Sequence, residues 1–542
     1  MHLRGRVLFV FLAIVPLAPL RALADVPFDA PAGLVPTSAS LTSVLDLHQR
    51  AVGNPTVPVR TRLIEEHISS GGLDGTFTET FEGGDWSANE HLGSFTTRFG
   101  SKAGVQWRQD ENGVTLTLKG AHRAQQITDF AIAHAFQNPA KPGAGVRLLG
   151  ESPEPSAAYV VEVHPPGGNP AWLFLDASSG QLVRREQMVD ERRLTETYDD
   201  FRITNGTTEP WHGRISIGAA TDDLVWTTSS ERVDVPLDAD QVAIPPDTRQ
   251  LVQFPPSAST VSLPARIVDR HVILRVMIGG RGYDFLLDTG SSTISVDDEI
   301  VSSLRLTSHR HTTMSIAGPV SQSEAIIPEM DIGDLRMRDV VVSASPFRYH
   351  PETTTRVVGV IGFDFFAGAV VHIDYPHGIA EAMVPASFQV PSKPDTILDA
   401  TLDDRVPLVS ATVGGVAGNF IFDTGADLVI LFTRFTQAHP TATIDQGRGD
   451  AMIKKLPLDT AVGTYGVEGF VPLWPVEIQS MDFGGIGFPD CLVYRTQFAS
   501  PFEAEDVDGI IGQEFLRYFD IYVDYRNARI ILVPDGYVDA AP

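Results

Sequence analysis

The sequence predicts a mainly β protein: an N-terminal α+β domain built on an antiparallel sheet, then two related β lobes in tandem. Three observations predict it. Apolar and polar residues alternate with period two between Gly71 and Leu118, and again from Ala158 to Val189, which is the strand pattern. A stretch holding Pro245, Pro246, Pro255 and Pro256 marks a boundary. Beyond it the chain contains an internal duplication. A length of 542 residues calls for two to four units, and 43% hydrophobic against 20% charged residues reads as globular.

At the N-terminus, Arg4 and Arg6 precede an apolar run from Val7 to Leu20, and Ala22-Leu23-Ala24 offers a small-x-small cleavage site. This is the three-part pattern of a secretory signal, so residues 1–24 are expected to be a signal peptide. The run is short for a membrane span of ~20 residues; an uncleaved anchor is the alternative. No membrane span is expected in the mature form, and the protein is expected to be exported, to the periplasm or secreted, as a monomer. The net charge of −27 becomes −30 without residues 1–24. That excludes nucleic acid as a partner, because a phosphate backbone needs a basic face. Cys491 stands alone, so no intramolecular disulfide can form; it is expected to be a small buried hydrophobe.

Residues 25–243 form the first domain. Leu41–Val52 and His122–Phe136 read as helices. Thr76–Phe81, Gly93–Phe99, Val114–Leu118, Ala158–Val163, Ala171–Leu175 and Leu182–Val189 read as strands. Val105-Gln106-Trp107-Arg108 before a hairpin, Leu175-Asp176 with the tight turn Gly180-Gln181-Leu182, and the stretch Tyr198–Arg202 resemble the half-barrel domains of bacterial lipoprotein-carrier and related envelope proteins, over about residues 60–230. The resemblance implies an antiparallel half-barrel sheet whose apolar concave face can hold a lipid acyl chain or a peptide. A spacer or folding domain without a ligand is equally open. Residues 244–262 are the Pro-rich linker.

The duplication follows, in lobes spanning 263–395 and 396–542. Tyr283–Ser292 contains Asp288-Thr289-Gly290-Ser291, and Asn419–Asp427 contains Asp423-Thr424-Gly425. Each is followed by a second shared block, Val358–Phe366 around Gly362 and Asp508–Leu516 around Gly512, and then by a strand ending in Asp374-Tyr375 or Asp524-Tyr525. The two Asp-Thr-Gly sites lie 135 residues apart and the two glycines 150 apart. Each Asp directly follows an apolar strand, Phe285-Leu286-Leu287 or Phe420-Ile421-Phe422, and so lies on a tight turn between buried strands. The Gly permits close backbone approach, and the Thr hydroxyl can reach the other lobe.

Asp288-Thr289-Gly290-Ser291-Ser292 resembles the signature of pepsin-like proteases, and Asp423-Thr424-Gly425-Ala426-Asp427 the retroviral form. The resemblance covers about residues 260–535 and implies a bilobal acid-protease β-barrel fold. It implies that Asp288 and Asp423 are a catalytic dyad acting on a peptide or protein substrate, without metal or cofactor. In the family the two carboxyl groups share a proton, one activating water and the other polarising the scissile carbonyl. Thr289, Gly290, Ser291, Thr424, Gly425 and Asp427 would support the turns, with Ser291 bonding a carboxylate. Gly362 and Gly512 would end the strands that brace them. Flap candidates are Met314–Gly318, with Gly318, and Gly463–Gly466, with Tyr465 and Gly466. Pepsins carry the Tyr-Gly pair in the first lobe, here it falls in the second, and an ordinary Gly turn is the alternative at both. The lobes are shorter than pepsin lobes and lack their disulfides. Pairing of the aspartates within one chain or between chains stays open.

His309-x-His311 is read as a solvated loop, Asn205-Gly206-Thr207 as an unused sequon and Gly484-Gly485-Ile486-Gly487 as a hairpin turn. The functional reading is an exported aspartic endopeptidase. The alternative is a non-catalytic envelope protein that keeps the fold and binds peptide or lipid.

Overall fold

The computed structural model describes residues 30–534 except 54–58, 135–144, 190–191, 217–222, 248–251, 269, 316–317, 348–355, 393–395, 403–404, 445–461, 467–468, 499, 501 and 503–506. The segment expected to be a signal peptide lies outside them. The chain divides between residues 248 and 249 into two compact units.

The first unit is one antiparallel sheet of 13 strands. It runs as a meander from Thr115–Thr117 back through Val105–Gln109, Phe95–Lys102, Asp85–Leu92 and Leu73–Glu82 to Thr61–Ser70. That strand pairs with Leu224–Val233, so the two arms of the sheet join at its middle. The other arm continues through Thr207–Ser216, Arg192–Thr204, Leu182–Val189, Ala171–Asp176 and Ala158–Val163 to Val146–Ser152. Helix Leu41–Val52 is capped by Ser40, whose side chain accepts the Ser43 N–H. It turns Val44, Leu45 and His48 inward, and His48 Nδ1 lies 2.8 Å from the Gly180 carbonyl.

Three details differ from expectation. Gly93-Ser94 is a turn, and seven strands were not read, Thr61–Ser70, Asp85–Leu92, Val105–Gln109, Val146–Ser152, Arg192–Thr204, Thr207–Ser216 and Leu224–Val233, because charged residues such as Arg62, Arg108 and Glu196 stand at buried positions in them. Asn205-Gly206 is the tight turn of a hairpin. The face expected to be apolar holds an apolar cluster that includes Ile64, Phe77, Trp86, Phe99, Leu173 and Trp226, but also two buried charge clusters. Strand alternation puts Arg62 on the side of Ile64, and Glu196 on the side of Leu194 and Tyr198. Arg62 pairs with Glu209 and Glu231. Arg185 meets Asp129 at 3.0 Å and Glu196 at 3.3 Å. Removing one partner of a buried ion group leaves uncompensated charge. Arg185→Leu is therefore expected to cost on the order of 3 kcal/mol in urea unfolding followed by tryptophan fluorescence. A loss below about 1 kcal/mol would mean that the two carboxyls are content without the cation.

The second unit holds two barrels of six strands each. In the first lobe the ring is His271–Ile278, Arg281–Leu287, Val357–Ile361, Ser295–Asp297, Leu335–Ser345 and Gly318–Ile332, closed by pairing of Val276 with Ile332. In the second it is Leu408–Val413, Val416–Phe422, Gly509–Ile511, Ile430–Leu431, Ile486–Arg495 and Gly469–Phe483, closed by Thr412 and Asp482. A six-stranded sheet joins the lobes: Val370–Asp374 pairs with Phe519–Asp524, Ile373 opposite Ile521. Its outer strand Thr260–Ser262 comes from the stretch read as linker, because Val261 has an apolar face to bury.

Among residues set aside from sequence, His309 is not on a solvated loop: it is 2% exposed on strand Ser308–Ser315. The side chain of His311 lies outside the described residues. Cys491 is only half-buried, on a strand with an open face, and its Sγ donates to the Phe488 carbonyl at 3.2 Å. Burial pushes its thiol up to about 11, which makes it a poor nucleophile at neutral pH. Gly484 and Gly485 form the hairpin turn as read, with φ of 63° and 84°.

Candidate active site

Each Asp-Thr-Gly turn leaves its barrel at the end of a buried strand. Arg281–Leu287 runs parallel to Val357–Ile361, and the Asp288 N–H donates to the Ile361 carbonyl at 3.0 Å. Val416–Phe422 and Gly509–Ile511 repeat this arrangement, with Asp423 N–H to Ile511 at 3.0 Å. Gly362 and Gly512 sit where the brace passes under the turn. A Cβ on Gly362 would lie 2.3 Å from the Thr293 carbonyl oxygen, and one on Gly512 2.3 Å from that of Leu428.

The turns grip each other across the lobes. Thr289 N–H donates to Thr424 Oγ1 at 3.0 Å and Thr289 Oγ1 to the Phe422 carbonyl at 2.6 Å. Thr424 N–H donates to Thr289 Oγ1 at 3.0 Å and Thr424 Oγ1 to the Leu287 carbonyl at 3.1 Å. Both threonines are fully buried. Thr289→Val would strand the Thr424 N–H and the Phe422 carbonyl. A loss of about 2 kcal/mol is expected in chemical denaturation; no loss would mean that water replaces the grip.

The grip brings Asp288 and Asp423 into hydrogen-bond contact within one chain. Each rests against the glycine of the opposite turn. A Cβ on Gly290 would be 2.4 Å from the Asp423 carboxyl carbon, and one on Gly425 2.3 Å from that of Asp288. Gly290 N–H donates to Asp288 Oδ1 at 2.7 Å. Gly425 and Ala426 N–H donate to Asp423 Oδ1 at 2.8 and 3.1 Å. Burial, and then the neighbouring Asp423, push the Asp288 carboxyl well above the ordinary carboxylate range. Burial also raises Asp423, but the hydrogen bond from Asp288, the two N–H groups and His271 hold it down. The pair therefore retains a proton, favoured on Asp288.

Ser291 is placed otherwise than expected. Its Oγ donates to the Thr293 carbonyl at 2.8 Å, two residues on, rather than to a carboxylate. The local turn offers that acceptor at no cost in reach. Asp427 is half-buried, 3.5 Å from His271 Nε2. Ser315 and Gly318 close one hairpin, Gly466 and Gly469 the matching hairpin of the second lobe. The side chain of Tyr465 lies outside the described residues, and Ile316 with Ala317 likewise.

Sequence reading missed a supporting layer. Tyr525, from the second lobe, donates from its hydroxyl to the Thr289 carbonyl at 3.1 Å. Gln513 Nε2 donates to the Thr424 carbonyl at 2.8 Å and to the hydroxyl of Tyr375, from the first lobe, at 2.6 Å. The Thr289 turn is thus backed directly by a tyrosine of the opposite lobe, and the Thr424 turn by Gln513, which is itself bonded to a tyrosine of the opposite lobe. Asp364 accepts from Thr293 Oγ1 and Ile294 N–H, and Glu514 accepts from Val429 N–H, all within 3.0 Å. The signal was present: an acid two residues after each bracing glycine, and an Asp-Tyr pair ending each following strand.

Residues 274–365 and 409–515 match the model of a family described as aspartyl protease, one segment in each lobe and each containing its Asp-Thr-Gly turn. The chain is similar to the crystal structure of an aspartic proteinase from Irpex lacteus, at 15% identity and a TM-score of 0.33, covering 52% of this chain and 99% of that one. The chain is also similar to a LolA superfamily protein from Nitrosomonas europaea, at 15% identity and a TM-score of 0.28, covering 37% of this chain and 96% of that one. No curated protein matches. No helix among the described residues is long and apolar enough to cross a membrane.

Proposed function

We propose that the protein is an exported aspartic endopeptidase in which Asp288 and Asp423 act together on a peptide bond. One observation carries the reading: two aspartates, one from each duplicated turn, share a hydrogen bond, each against the other's glycine. The ionised carboxylate, favoured at Asp423, takes a proton from a water as its oxygen attacks the scissile carbonyl carbon. The proton on Asp288 passes to the carbonyl oxygen, giving a neutral diol. Collapse of the diol breaks the C–N bond as a proton moves from the pair to the leaving amine. Titration belongs to the pair rather than to either residue. The hairpins closed by Ser315 with Gly318 and by Gly466 with Gly469 are the flap candidates that would cover a bound peptide.

The test is cleavage of a quenched peptide library by the full chain from acid to mildly alkaline pH, with Asp288→Asn and Asp423→Asn alongside. Turnover by the wild type, lost in both variants, is the expected result. A folded wild type that cleaves nothing at any pH would favour a binding protein that keeps the protease fold.

A further inference from the structure

His271 is a buried histidine that this mechanism leaves without a role. It opens strand His271–Ile278 of the first lobe, opposite Val268 in a hairpin, and is 1% exposed. Its Nε2 lies 3.0 Å from the Gly425 carbonyl and 3.5 Å from Asp427 Oδ1. Both neighbours are oxygens, so Nε2 carries hydrogen and donates. Gly425 is the residue whose N–H holds Asp423 Oδ1. A ring of the first lobe therefore grips the second lobe's turn from behind, two residues past Asp423.

The duplication does not repeat this contact. The hairpin glycines Gly279-Gly280 correspond to Gly414-Gly415, so Val406 stands where His271 stands in the first lobe. Four residues past Asp288 is Ser292, where the second lobe has Asp427. Among the described residues, the histidine contact stands on the side of Asp423; on the side of Asp288 the cross-lobe cation is the buried Arg405 of the second lobe, which lies over the Phe363 ring, 5.7 Å from its centroid.

We propose that His271 is a positioning residue of the dyad: holding the Asp423 turn from the opposite lobe, with its charge beside that turn, it makes Asp423 the member that keeps the negative charge and Asp288 the member that keeps the proton. The inference rests on the dyad reading above. The charged groups around the contact are Asp427, Asp423 and Glu514 from the second lobe, with Asp288 beyond Asp423. Arg270 precedes His271, and Arg270 and Arg517 act on Glu514. A positive ring favours the ionised form of Asp423; losing that charge raises the pH at which the pair first ionises.

The experiment compares wild type, His271→Gln and His271→Arg as full chains, labelled at the aspartate carboxyl carbon, by NMR titration. Where peptide is cleaved, the acid limb of kcat/KM is a second readout. Gln keeps a donor without charge and Arg keeps the charge at every pH. His271→Gln is expected to move the first ionisation of the pair upward by on the order of one pH unit, and His271→Arg to leave it at or below the wild-type value. Equal titration in all three would overturn the inference, leaving His271 as packing alone. So would a first ionisation in His271→Arg above the wild type, a comparison that stands even if the Gln variant does not fold. The carboxyl titration needs no turnover, so failure of the peptidase reading and failure of this inference are separable.

Discussion

Asp288→Asn is expected to lower kcat/KM for peptide cleavage by about 10⁴-fold, and to make the folded protein more stable at neutral pH than the wild type. The first part follows from chemistry: an amide can still bond Asp423 but cannot give up a proton to the substrate carbonyl. The second follows from the direction of the carboxyl shifts. Asp288 and Asp423 are both raised above the ordinary value of 3.8 by burial, so the folded state binds protons that the unfolded state has already lost. Stability therefore falls as pH rises from that ordinary value through the folded values. Below it both states are protonated and nothing is lost. Replacing one carboxyl by a neutral amide removes that slope. Melting curves across pH on wild type and variant measure it, and kcat/KM on the same samples measures the loss. Activity within tenfold of wild type would remove Asp288 from the chemistry. A variant less stable than wild type at neutral pH would mean that the pair is already relaxed by solvent.

Gly425→Ala is expected to cost about 10³-fold in kcat/KM. A methyl group there would lie 2.3 Å from the Asp288 carboxyl carbon, well inside contact distance. The backbone has little room to retreat, since the Gly425 N–H holds Asp423 and its carbonyl holds His271. Asp288 must give way, and a displacement of about 1 Å at a reacting group is worth roughly 10²-fold before the lost Asp–Asp contact is counted. Gly290→Ala tests the mirror position, where the methyl would meet Asp423 at 2.4 Å. A loss under tenfold in both would show that the two turns can separate without harm to the reaction.

The duplicated blocks were legible because they are local text. An apolar strand followed by Asp-Thr-Gly, then an apolar run into glycine, names a turn and its brace without reference to the rest of the chain. Helix Leu41–Val52 was legible for the same reason: Ser40 caps it, and Val44, Leu45 and His48 fall on one face. Ser291 was misplaced because residue type does not say which acceptor a hydroxyl takes, and the carbonyl two residues on takes this one. Gln513 was missed because it stands where the first lobe has Phe363, and a residue that differs between the repeats leaves no trace in their comparison. Arg62 and Arg185 were missed because a buried arginine reads like a surface one until its carboxylate partners, from distant strands, are known.

By itself, then, the sequence determined that this protein has two lobes, that each carries an Asp-Thr-Gly turn at the end of a buried strand, and which glycines let the backbone pass close behind those turns. These are statements about dihedral freedom and burial within a few residues. Tertiary structure alone decided that the aspartates meet in one chain, that Thr289 and Thr424 interlock, that the Thr289 turn rests on Tyr525 of the other lobe, and that His271 touches one turn but not its twin. The physical reason is separation. Those contacts join groups more than 130 residues apart, and their partners are set by closure of two barrels and by the sheet between them, which no local pattern of residues specifies.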